Sequence, residues 1–181
     1  MSQKKNPKRK SRKTSRKPEP KAGDRTWNVL FCGIGGQGVL RAAEVCGIAA
    51  LKEGFHVRKS EVHGMSQRGG SVESHVRFGR HVYSPLIPKG QVDFLVAFDE
   101  TEGRRYVSFL KKGGKDFTEF IDPVKKQLKD LRVANTFFLG MLSRFLPLSR
   151  EAWMSAVETG FSRAVAENKQ AFVKGAEYDL E

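Results

Sequence analysis

The stretch Gly33-Ile34-Gly35-Gly36-Gln37-Gly38 puts glycine at Gly33, Gly35 and Gly38, the spacing of a dinucleotide fingerprint. The chemistry it suits is the holding of a phosphate. Gly33 allows a tight turn, Gly35 lets an anion come near the backbone, and Gly38 permits close helix–strand packing. A helix starting there would offer unpaired N–H groups and partial positive charge. Gly36 and Gln37 belong to the same candidate site. The acid expected to hold a ribose should end the second strand. Glu61 stands near that place, but Arg58 and Lys59 precede it, which would suit a phosphorylated ribose. Three readings stay open: nicotinamide binding, a phosphate site for another nucleotide-containing molecule, and a compact turn that binds nothing.

A second stretch is more unusual. Glu61-Val62-His63-Gly64-Met65-Ser66-Gln67-Arg68-Gly69-Gly70-Ser71 is almost wholly polar or glycine, so it belongs on the surface or along a site. Arg68 beside Gly69 and Gly70 sets a guanidinium fork next to exposed backbone N–H groups, an arrangement for an anion. His63 and His75 have the chemistry to bind metal or move protons. No close carboxylate or thiolate completes a ligand set, so each histidine alone reads as a hydrogen-bonded structural residue. There is no Gly-x-Ser-x-Gly elbow and no lysine-containing phosphate loop, and thus no evident nucleophile.

The elements that must position these residues follow from periodicity. Trp27 to Cys32 is a short apolar run, a buried strand. Val39, Leu40, Ala42, Ala43, Val45, Cys46, Ile48, Ala49 and Leu51 recur at helical spacing, and Gly54 stops that helix. His56–Lys59 with Val62 is a second strand, giving one βαβ unit. Ser71–Phe78 alternates polar and apolar residues, as a half-buried strand does. Gly79-Arg80 turns toward His81–Ser84. Val92–Phe98 is the clearest later strand. Asp99 caps the helix that follows, Glu102 completes a capping box, and Gly113-Gly114 ends the helix. Val124 to Phe145 forms a helical run that Pro147 stops, and Ser149 starts another, through Ala152, Ala156, Phe161, Ala164 and Val165. The expected fold is α/β: a Rossmann-like three-layer sandwich with a mostly parallel sheet and a helical C-terminal third.

Charge and cysteine content bound the function. Net charge is +13 over 181 residues, but residues 1–25 hold eleven Lys/Arg and two acids. Residues 26–181 carry only a small excess, 22 bases against 18 acids. Residues 1–25 therefore read as a disordered basic tail and 26–181 as one folded domain. The tail could serve nucleic acid or an acidic partner. It carries no aromatic for base stacking, and a solubilising extension is the plainer reading. No run of 18 apolar residues indicates a membrane span. The basic start lacks a following apolar segment, so it is not a secretory signal. Cys32 and Cys46 are too few for a disulfide framework, a four-thiolate zinc site or an all-cysteine iron–sulfur cluster. The expectation is a cytoplasmic protein with no metal of its own.

Both motifs together carry a family resemblance. Gly33 to Leu40, Ser60 to Val72 and Ser74-His75-Val76-Arg77 closely resemble the beta subunit of indolepyruvate:ferredoxin oxidoreductase. That subunit is related to the gamma subunit of pyruvate and 2-oxoacid:ferredoxin oxidoreductases. Tyr83 to Pro88, Asp93 to Phe98, Asn135 with Gly140, Pro147-Leu148-Ser149 and Asn168 with Ala171-Phe172 extend the match over about residues 27–175. The segment Lys115–Arg132 is shorter than the family's usual stretch, which puts the far edge of the sheet in question. The basic tail has no counterpart in the family.

The resemblance implies a subunit in the oxidative decarboxylation of a 2-oxoacid to acyl-CoA, carbon dioxide and reduced ferredoxin. Thiamine diphosphate and iron–sulfur clusters would lie on a large partner subunit, with coenzyme A as co-substrate and ferredoxin as electron acceptor. Catalytic residues on this chain are not expected. Its expected contacts are an anion contact from Arg68, backbone approach at Gly69 and Gly70, and hydrogen bonds from His63, Gln67 and His75. The pyruvate type, a free NADP-binding oxidoreductase and a nucleic-acid-binding accessory protein are the alternatives.

Overall fold

A computed structural model describes residues 25–63 and 69–180. The basic tail, apart from Arg25, lies outside the described residues, and so does the centre of the polar stretch, 64–68. In chain order the elements are β1 (Trp27–Ile34), α1 (Val39–Lys52), β2 (His56–His63), β3 (Ser71–Gly79), β4 (Val92–Ala97), α2 (Glu100–Tyr106), β5 (Leu110–Asp116), α3 (Ile121–Gln127), α4 (Ala134–Ser143), α5 (Arg150–Gly160) and α6 (Val165–Ala176). Among the described residues no helix is long and apolar enough to cross a membrane.

The strands form one sheet in the order β2-β3-β1-β4-β5. β4 runs parallel to both β1 and β5, while β3 runs antiparallel to both β1 and β2. The sheet is thus mixed, not mostly parallel. The reason is connection length. A parallel crossover needs a dozen or more residues. Only residues 64–70 join β2 to β3, so the two must run antiparallel. β3 therefore lies between β1 and β2, splitting the expected βαβ unit.

The sheet has two unlike faces. Even positions of β3 are apolar or small and turn toward α1, as Phe78 against Phe55 shows. Odd positions Ser71, Glu73, His75 and Arg77 turn the other way. There Ser71 bonds Glu102 of α2 and His75 meets the ring of Phe109. β1 is buried from Val29 to Cys32, and β4 along its whole length. Phe94 and Val96 of β4, and Phe98 just after it, share the α1 side, where Phe94 meets Phe145 and Phe98 meets Phe138 of α4.

Other elements differ from expectation. α2 ends at Tyr106 and passes through a 3-10 turn, Val107–Phe109. Gly113-Gly114 does not end that helix but lies within β5, where Gly113 takes φ +76° and the register to β4 shifts. The shortened segment Lys115–Arg132 thus begins within the last residues of an edge strand that is present. His81–Ser84 forms no strand. The helical run from Val124 is broken because Asp130 accepts from the Arg132 N–H at 2.9 Å, capping a new turn that leads into α4. The run from Ser149 breaks after Gly160 and resumes at Val165.

α4 and α6 cross closely, with Thr136 Oγ1 donating to Asn168 Oδ1 at 2.6 Å. A Cβ on Gly140 would collide with the Phe172 carbonyl oxygen, and one on Gly175 with that of Phe137. Backbone cannot yield there as a flexible side chain can. Gly175→Ala is expected to destabilise the fold by about 2–3 kcal/mol. Denaturant unfolding checks it, and an unchanged midpoint would contradict this packing.

Candidate functional site

The glycine turn follows β1 directly, so it lies at the carboxyl ends of the parallel strands β1 and β4. In open α/β sheets that edge, where successive connections leave in opposite directions, is where ligands bind. β1 connects through α1 toward β2, and β4 through α2 toward β5 on the other side.

The turn itself is built by short-range contacts. The Gln37 carboxamide oxygen accepts from the Ile34 N–H at 2.8 Å, and the Gln37 N–H donates to the Ile34 carbonyl at 3.1 Å. Gly33 has no room for a side chain because a Cβ there would sit 2.6 Å from that carboxamide oxygen. Gly36 has φ +105° and open space where a side chain would be. Gly38 has φ +82° and packs against Asn135, whose amide donates to the Gly38 carbonyl at 3.4 Å. α1 then begins without a side-chain cap and without an acid in its first turn. Its first N–H groups and the positive end of its dipole are left for an anion.

The second motif reaches this turn. The β1–β3 ladder ends at Ile34 opposite Ser71. One more bond continues it: the Gly35 N–H donates to the Gly70 carbonyl at 2.8 Å. Gly69, at φ +73°, also has open space above it. His63 pairs with Val72 across β2 and β3, so its backbone shares this edge. Gln67 and Arg68 fall outside the described residues. The structure thus brings together Gly33, Gly35, Gly36, Gln37, Gly38, Gly69 and Gly70, with the backbone of His63 beside them.

His75 is not at this edge. It lies three residues along β3 from Val72, opposite Leu30, and is 3% exposed. Its Nδ1 accepts from the Ile87 N–H at 3.1 Å, so in the neutral ring the proton sits on Nε2, which points at Glu73 Oε1, 3.8 Å away. Arg77 works beside it: Nε donates to Asn28 Oδ1 at 2.8 Å, and Nη1 to the Ser84 and Leu86 carbonyls at 3.0 and 2.9 Å. Together they fasten the proline-flanked segment 84–88 onto β3.

A polar cluster under the edge was not among the residues expected from sequence. Ser71 Oγ donates to Glu102 Oε2 at 2.6 Å. Arg105 Nη1 donates to both Glu102 oxygens, at 2.9 and 3.0 Å. Burial pushes the pKa of the Tyr106 hydroxyl above the usual phenol range, with Glu73 adding to it. Glu102 was expected to close a capping box. The Asp99 side chain does accept from the Glu102 N–H at 3.1 Å, but the Glu102 carboxylate turns to β3 instead. The polar odd positions of β3 were the available signal. A carboxylate on α2 as their partner was not visible without the sheet order.

Burial also raises the pKa of both cysteines, chiefly through desolvation; at Cys32 the carboxylates of Glu102, Asp116, Glu73 and Asp99 add to it. Both are core thiols. Among the described residues no three His, Cys, Asp or Glu side chains come together as metal ligands would.

A glycine turn at the switch edge of a five-stranded mixed sheet, followed by a helical C-terminal region, defines the class: an α/β domain. The chain belongs to the pyruvate ferredoxin/flavodoxin oxidoreductase family, whose profile matches residues 28–123. It is 52% identical over 92 residues to the indolepyruvate oxidoreductase subunit IorB of Pyrococcus horikoshii, which covers 51% of this chain and 46% of that protein. The chain thus spans about half the length of the curated relatives it matches. Its fold is similar to the gamma subunit of keto/oxoacid ferredoxin oxidoreductase from Geobacter sulfurreducens, with TM-score 0.68, 27% identity and coverage of 83% of this chain and 96% of that one. It also resembles in fold a chain of the 2-oxoglutarate:ferredoxin oxidoreductase of Magnetococcus marinus, solved with 2-oxoglutarate, coenzyme A and succinyl-CoA (TM-score 0.67, 18% identity, 84% of this chain and 30% of that one).

Burial lowers the His75 pKa from its ordinary 6.5, outweighing the opposite pull of Glu73. The folded chain therefore binds fewer protons than the unfolded chain below that value. This contribution is present above about pH 6.5 and is lost as pH falls. The melting temperature should be lower at about pH 5.5 than at about pH 7.5. His75→Gln, whose oxygen can still accept from Ile87, should flatten the difference. Equal pH slopes in the two proteins would contradict it.

Proposed function

We propose that the chain is the cofactor-free subunit of an indolepyruvate (aryl-pyruvate) ferredoxin oxidoreductase, supporting coenzyme A-dependent oxidative decarboxylation of a 2-oxoacid. The observation that carries this reading is the Gly35–Gly70 hydrogen bond, which joins the two motifs of the family resemblance into one open edge. Similarity to the indolepyruvate oxidoreductase subunit supports the aryl-pyruvate assignment.

On this reading the edge faces the large subunit's cleft. The backbone at Gly36 and Gly69 leaves room for a phosphate or carboxylate, the start of α1 supplies N–H groups, and Arg68 supplies a guanidinium. Gln67 and His63 would hydrogen-bond the bound anion or its surroundings. His75 acts through the 84–88 segment it holds and touches no ligand.

Iron–sulfur clusters do not fit this chain, since Cys32 and Cys46 are separate core thiols. The clusters and thiamine diphosphate belong to the partner, where they would carry electrons and stabilise the decarboxylated adduct. A nicotinamide role is disfavoured by topology. In a dinucleotide fold β2 adjoins β1, so the acid ending β2 reaches the ribose. Here β3 intervenes and sets Glu61 about one strand spacing, roughly 5 Å, farther away. Glu61 is moreover salt-bridged to Lys59 at 2.6 Å.

Co-expression with the large subunit is expected to yield a complex that oxidises indolepyruvate in preference to pyruvate. In that complex Arg68→Ala should raise the Michaelis constant for coenzyme A by about tenfold or more. Failure of the two chains to assemble would overturn the reading. An unchanged Michaelis constant would remove the anion role of Arg68.

A further inference from the structure

We propose that Glu102 is a positioning residue for the glycine edge, acting through Ser71 on the Gly70 carbonyl and so on the glycine turn; this rests on the functional reading above. Glu102 sits in the first turn of α2, on the sheet face away from α1. It is 8% exposed, yet its carboxylate neither caps its own helix nor faces solvent. It accepts from Ser71 Oγ at 2.6 Å, a short charge-assisted bond. Arg105, one turn along the same helix, donates to both oxygens and holds the carboxylate in that orientation.

Ser71 is the first residue of β3, next to Gly70. Gly69 and Gly70 carry no side chains, so nothing of their own fixes the backbone. What holds them is the Gly35 N–H on one side and Ser71 on the other. α2 is seated firmly: a Cβ on Gly103, the next residue, would lie 2.5 Å from Thr118 Oγ1 and 3.0 Å from Ala97 Cβ. The route is therefore short and continuous: a packed helix, a clamped carboxylate, the serine that opens β3, and the carbonyl that receives the turn.

Glu102 is 8% exposed, so its effect on a bound anion is indirect. A Glu102→Ala enzyme assembled with its large subunit should show a Michaelis constant for coenzyme A raised by about tenfold, with turnover falling less. Glu102→Gln keeps an oxygen for Ser71 and should recover most of the loss. Ser71→Ala leaves the Glu102–Arg105 pair intact and should give a smaller rise in the same constant. Apart from activity, the Gly35 amide should exchange with solvent faster in Glu102→Ala and Ser71→Ala than in the unaltered chain, and near the unaltered rate in Glu102→Gln.

An unchanged Michaelis constant with unchanged Gly35 exchange in Glu102→Ala would overturn the proposal. A fall in turnover alone would do the same. If Glu102→Ala does not fold, Ser71→Ala decides by the same two readouts. If the unaltered complex turns over without coenzyme A, the functional reading fails. The exchange arm still tests whether Glu102 positions the edge.

Discussion

The bond from the Gly35 N–H to the Gly70 carbonyl is one neutral backbone hydrogen bond, worth about 1 kcal/mol net. Its importance is geometric. β1 and β3 stop pairing at Ile34 and Ser71, and beyond that point both chains are mostly glycine. Without it the turn after β1 and the entry to β3 would be independent loops. With it they form one rim, and Gly36 and Gly69, where a side chain would meet nothing, both belong to that rim.

The rest of the molecule serves that rim from two sides. On the α1 face the support is apolar packing, with Phe31, Val76 and Phe78 buried. On the α2 face it is polar: Glu102 joins Ser71 and Arg105, and His75 and Arg77 fasten segment 84–88 below it. The opposite end of the sheet is fixed by charge. Asp93, 4% exposed, accepts from the Asn28 N–H at 2.8 Å and pairs with Arg25 at 3.0 Å and with Lys111. Arg25 also lies over the Trp27 ring, 3.6 Å from its centre. Arg25 and Asp93 thus lie at the end of β1 remote from the glycine turn.

Local signals were legible and nonlocal ones were not. The β1 run, the spacing in α1, the stop at Gly54 and the cap at Asp99 depend on neighbours in sequence, and each appears where its pattern stands. The glycine turn was readable because only glycine takes the φ values found at Gly36 and Gly38 without strain. Sheet order was not readable from alternation alone. The length of 64–70 contained the constraint, but it acts only once β2 and β3 are both recognised as strands. β5 was missed because Gly113-Gly114 looks like a helix stop, whereas here it serves a register shift on an edge strand. A glutamate at position 102 is suited either to a capping box or to a cross-element partner; its spacing from Asp99 expresses only the first, and its carboxylate takes the second. His75 illustrates the converse: its motif suggested a ligand contact, while its Nδ1 accepts from the Ile87 N–H and the residue is 3% exposed.

We propose that the rim formed by residues 33–38 and 69–71 is the face that meets coenzyme A within the assembled enzyme. Amide exchange of the complex, measured with and without coenzyme A, tests it most directly. Added protection is expected, confined to those two segments and the first turn of α1. Protection instead at the Asp93 end of the sheet, or none anywhere on this chain, would contradict it.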